Sequence, residues 1–137
     1  MRRQLVAFAA GAALVVSSGA ALAHHSFAMF DREKAVNITG TVKEYEWTNP
    51  HVWIHIMTAD GQGTPRQWSF EMQSVQQDAA AGWRADSVKP GDTISIEFHP
   101  LKDGSRGGQL VAATLADGKR LGGPVRQNAN PRPTAQE

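Results

Sequence analysis

The stretch Ala35–Ala59, "AVNITGTVKEYEWTNPHVWIHIMTA", alternates twice between apolar and polar residues around a single break. Val36, Ile38, Gly40 and Val42 share one face, with Asn37, Thr39, Thr41 and Lys43 on the other. A period of two carried by β-branched residues predicts a half-buried strand. Asn49-Pro50 interrupts it, and Val52, Ile54 and Ile56 then resume the alternation on one face of a second strand. On the opposite face His51, Trp53, His55 and Met57 form one row.

Outward from this pair the same logic continues. "DGQGTP" (60–65) predicts a turn, and "RQWSFEM" (66–72) a third strand with Trp68, Phe70 and Met72 in phase. The pattern changes in "SVQQDAAAGWR" (74–84), where Ser74 is a candidate N-cap, good helix formers follow, and Gly82 is a stop. "KPGD" (89–92) turns into "TISIEFHP" (93–100), in which Ile94, Ile96 and Phe98 point one way. "LKDGSRGG" (101–108) reads as a hairpin-type loop, and "QLVAATLADGKRL" (109–121) supplies the last strand. Three strands, one helix and two strands is the element order of a small five-stranded OB-like barrel, mainly β, with the helix between strands 3 and 4. Gly40 suits a bend in a long first strand, and Trp83 suits packing of the helix end onto the barrel. A five-stranded sheet with different pairing stays open, because periodicity does not give connectivity.

Residues 1–23 have a different character. Arg2 and Arg3 precede "LVAFAAGAALVV" and then "SSGAALA", with Ala21 and Ala23 at the −3 and −1 positions of a cut before His24. This predicts a secretory signal peptide, a β-domain over 24–121, a disordered polar tail over 122–137, and a periplasmic or secreted protein with no membrane span after processing. Removing 1–23 takes Arg2 and Arg3 from the 14 basic residues and none of the 13 acidic ones, so the formal charge moves from +1 to −1. Near-neutrality argues against a nucleic-acid partner. The chain has no cysteine, which excludes disulfides, thiolate metal sites and thiol catalysis.

The histidines carry the chemistry. At a rise of about 3.3 Å per residue, His51 and His55 stand roughly 13 Å apart along the strand, too far to share an ion without a bend. His55 and Met57 converge more easily, and an imidazole beside a thioether suits copper. A cut before His24 would expose an α-amine and an imidazole on one residue, a compact copper chelate to which His25 adds a second ring. A cut after Ala21 would instead place His24 third, where two backbone amides and the amine complete a square-planar copper site. The candidate metal ligands are therefore His24, His25, His51 and His55, with copper ion as the cofactor. His99, out of phase with the apolar residues of its strand, suits a turn before Pro100 better than a ligand role. Tyr45, Trp47 and Trp53 offer an alternative, a stacking surface for a small ligand or a periplasmic protein. No nucleophile elbow or phosphate-binding loop is present, so the chain is read as a binding protein and not an enzyme.

"HHSFAMFD", "GTVKEYEWTNPHVWIHI", the Trp68–Glu71 stretch "WSFE", "KPGD" and "HPLKDGSRGG" together resemble a family of small secreted bacterial proteins of unknown function. The resemblance implies export and a compact β-domain, and it carries over no catalytic residue. The sequence thus leaves two readings: a copper-binding carrier or sensor, or a metal-free module that uses the aromatic face of the barrel.

Overall fold

The computed structural model describes residues 28–122. The expected leader, its cut, His24, His25 and nearly all of the expected tail lie outside the described residues. The elements are β1 (Val36–Glu46), β2 (Trp53–Ala59), β3 (Pro65–Glu71), α1 (Val75–Ala80), β4 (Thr93–Pro100), β5 (Gly107–Thr114) and β6 (Arg120–Gly122).

β1 pairs antiparallel with both β2 and β4, β3 with β2, and β5 with β4. A parallel pairing of β3 with β5 through Ser69–Gly107, Phe70–Gly108 and Glu71–Gln109 then closes five strands into the OB-like barrel. Closure removes the free edges of an open sheet. The expected apolar phases meet inside: Val42, Val52, Ile54, Ile56, Phe70, Met72, Ile94, Ile96, Phe98 and Leu110 are all buried. Phe98 lies edge-on to Phe70, with centroids 4.8 Å apart. Full burial of one such side chain is worth about 1.5–3 kcal/mol.

Three glycines are dictated by close approach. A Cβ on Gly40 would stand 2.7 Å from the Met57 carbonyl oxygen of β2. A Cβ on Gly107 would collide with the Ser69 carbonyl of β3, and one on Gly108 with the His99 carbonyl of β4. Gly107 and Gly108 therefore belong to β5 and the closing seam, not to the loop expected from their glycine content. The last expected strand also divides. Asp117 Oδ1 accepts from Lys119 N (2.9 Å) and Leu115 N donates to Lys119 O (2.8 Å), so "LADGK" is a hairpin turn and Arg120–Gly122 pairs back on β5.

α1 starts where Ser74 predicts. Ser74 Oγ accepts from Gln77 N and Gln77 Oε1 accepts from Ser74 N, a reciprocal capping box. Asn49 Oδ1 accepts from Val75 N (3.0 Å), which ties the loop after β1 to the same helix end. Trp83 is fully buried beyond α1, its indole donating to Gly122 O and its ring 6.3 Å from Tyr45. It packs the helix end onto the barrel as expected.

β1 departs from strict alternation at one point. The register against β2 shifts between Val42 and Glu44. A bulge places two successive residues against one partner and reverses the phase beyond it. Lys43 and Glu44 are both exposed, and Tyr45 comes opposite Ile54 on the core side.

Candidate functional site

The bulge decides which side chains share the outer face of β1, β2 and β3. Tyr45 and Trp47, expected to stand outward beside Trp53, turn inward instead and pack against the core. Their ring centroids lie 5.8 Å apart, and the Tyr45 hydroxyl donates to Arg84 O (3.1 Å). Burial, with the nearby charges of Asp78 and Asp86, pushes the Tyr45 phenol well above its ordinary value. Trp53 stays on the outer row, across from Glu46 and Glu71. The three aromatics therefore do not form one surface.

In place of an aromatic face the bulge brings carboxylates to the histidine row. His55 is opposite Glu44 on β1 and Ser69 on β3. Its Nε2 lies 2.8 Å from Glu46 Oε1 and its Nδ1 lies 2.8 Å from Ser69 Oγ. Trp53 stacks parallel to the ring, with 1° between the planes and centroids 6.1 Å apart. One ligand atom each from Glu44, Glu46 and His55 can be chosen so that all three lie within 4.8 Å of one another. A nitrogen and carboxylate oxygens at that spacing suit a first-row divalent ion.

The Ser69 hydroxyl can play either of two parts. Donating to Nδ1, it leaves the ring proton on Nε2 for Glu46; accepting from Nδ1–H, it leaves the Nε2 lone pair free. The second arrangement is the usual second partner of a metal-bound imidazole.

The other candidates are placed apart from this cluster. His51 pairs through Nδ1 with the Glu71 carboxylate on β3. Met57, half-buried, lies between Thr41 and Gln67, and Lys43 spans from β1 to Gln67 on β3 (2.7 Å). Both His55 nitrogens face Glu46 and Ser69, so the expected His55–Met57 pairing gives way to a histidine–carboxylate one. His99 is nearly buried and donates from Nδ1 to Lys34 O (2.6 Å), fastening the segment before β1 and not the turn at Pro100.

Sequence reasoning gave Glu44, Glu46 and Glu71 no role, and it missed Ser69. Asp78 was also missed, as one polar residue among helix formers. It is fully buried on α1, its Oδ2 accepts from Gln73 N (3.0 Å), and its Oδ1 has no partner among the described residues. Burial pushes its carboxyl up to about 6 against the opposing pull of the Gln73 amide and of His51.

No helix among the described residues is long and apolar enough to cross a membrane. Among curated proteins, no match to this chain was found. A family model does match, over residues 12–111, a span that takes in β1 through most of β5 with the whole Glu44–Glu46–His55 cluster. The chain belongs to DUF6152, a family of unknown function.

Proposed function

We propose that this chain is an exported binding module that holds one copper ion on the outer face of β1 and β2, with Glu46 and His55 as ligands and Glu44 as a third donor. The observation that carries the proposal is the 2.8 Å separation of His55 Nε2 and Glu46 Oε1 beside a second carboxylate. Metal bonds to imidazole and carboxylate are about 2.0 Å long, so donors this close can meet on one ion. Among first-row divalent ions, nitrogen and oxygen donors bind copper most tightly.

In this proposal the leader is removed before His24, and His24 and His25 supply the remaining donors from the processed terminus. The role is carriage or sensing, since the cluster provides ligands but no assigned acid, base or nucleophile. The same 2.8 Å also serves a plain hydrogen bond, so the test is competition between the two. Calorimetric titration of the chain beginning at His24 should give one Cu(II) per molecule. Glu46→Gln and His55→Ala should each weaken binding at least about tenfold, the scale at which even second partners of metal ligands act. An added N-terminal Met should weaken it as well. Equal affinity in Glu46→Gln, His55→Ala and the parent would overturn the proposal.

A further inference from the structure

A concavity lies where β1 begins, β2 ends and β3 begins. It is a cleft of about 430 Å³, within the size range of small-molecule sites. Ile38 and Trp68 form its apolar floor, both half-buried against the core. Trp68 is itself fixed from below, stacked near Phe70 (8° between planes) and edge-on to Phe98 with centroids 6.0 Å apart. A rigid indole face open on one side is a platform for a flat apolar group.

The rim sets the charge. Asp60, Arg66 and Arg106 line it with Thr58. The Asp60 carboxylate is already committed: it accepts from Gln62 N, Thr64 N and the Arg66 guanidinium. Those bonds, led by the Thr64 and Gln62 amides, hold its carboxyl below the ordinary range. Arg106 is different. Its carbonyl accepts from Ser69 N at the β3–β5 seam (3.3 Å), which holds its backbone beside Trp68. Its guanidinium makes no hydrogen bond or ion pair among the described residues. Two cations thus face one satisfied anion over an aromatic floor.

We infer that this cleft binds a small organic carboxylate with a flat apolar body, its ring on Trp68 and its carboxylate on Arg106. Arg matches a carboxylate because its planar fork can present two parallel N–H donors. A neutral ligand would leave Arg106 unused, and a cationic one would meet net positive charge.

The test pairs 4-phenylbutyrate with its neutral amide, 4-phenylbutyramide, followed by ¹H–¹⁵N correlation spectra of the full processed chain. The carboxylate should shift the Trp68 indole N–H signal saturably, and the amide should bind at least about tenfold more weakly, as expected for loss of a charged hydrogen bond. Arg106→Gln should erase that difference while leaving the remaining spectrum unchanged. Trp68→Leu should remove binding of both probes. Equal binding of acid and amide, an Arg106→Gln protein that still prefers the acid, or shifts that bypass Trp68 would each overturn the inference.

Discussion

His55 Nδ1 stands 2.8 Å from Ser69 Oγ, directly across the β2–β3 ladder, while the other nitrogen of the same ring faces Glu46 across β1–β2. One imidazole is thereby held from both neighbouring strands, and its orientation belongs to the barrel and not to a loop. Ser69→Ala removes the partner of Nδ1 without touching a ligand. It should weaken Cu(II) binding about 10- to 100-fold, the usual cost of losing a metal ligand's second partner. Unchanged calorimetric affinity would mean that the ring needs no such support. Affinity should also fall as the pH is lowered, because imidazole and carboxylates must shed protons to bind.

His51 sits in the same outer row but is engaged by Glu71. His51→Ala should therefore change Cu(II) affinity by no more than about twofold, while His55→Ala abolishes most of it. A large loss in His51→Ala would move the site along the row towards β3.

Asp78 makes stability depend on pH with an unusual sign. Its carboxyl is raised from 3.8 to about 6 by burial, so between those values the folded state keeps a proton that the unfolded chain releases. Stability from this group is full below pH 3.8 and is lost as the pH rises to about 6, by up to about 3 kcal/mol. Asp78→Asn imitates the protonated side chain and keeps an acceptor for Gln73 N. Its advantage over the parent in urea unfolding should grow from pH 4 to pH 7. A constant difference across that range would contradict the burial cost assigned to the ionised form.

The strand phases of β2, β3 and β4, the N-cap at Ser74 and the barrel order were legible because each follows from local periodicity or turn chemistry. The site was only half legible, and the bulge in β1 is the reason. Continued from Val42, strict alternation sends Tyr45 and Trp47 outward and Glu44 and Glu46 inward. One extra residue reverses all four. No propensity in "VKEYEW" marks that residue, since a bulge is fixed by what both partner strands can bury. His55 was recognised and its partners were not, because Glu46 and Ser69 meet it only through register. The glycines of β5 were misread for a similar reason: a loop and a seam that admits no Cβ ask for the same residue.

The packing of β5 against β4 is open to test at Gly108. A methyl group there would meet the His99 carbonyl and the Phe98 ring, and the carbonyl belongs to the backbone and cannot swing aside. Gly108→Ala should cost about 1–3 kcal/mol in chemical denaturation, or more if β5 withdraws from β4. Gly118→Ala, with nothing within 4 Å of the new methyl, gives a comparison in which only the turn conformation (φ 83°) is disturbed. A smaller loss at Gly108 than at Gly118 would contradict the close packing of β5 on β4.

The most direct measurement is paramagnetic broadening by substoichiometric Cu(II) in ¹H–¹⁵N spectra of the chain beginning at His24. Signals of Glu44, Glu46 and His55 should vanish first and together, with Trp53 and Ser69 close behind. Saturation of the protein with copper while those three signals stay sharp would contradict a metal site on the outer face of β1 and β2.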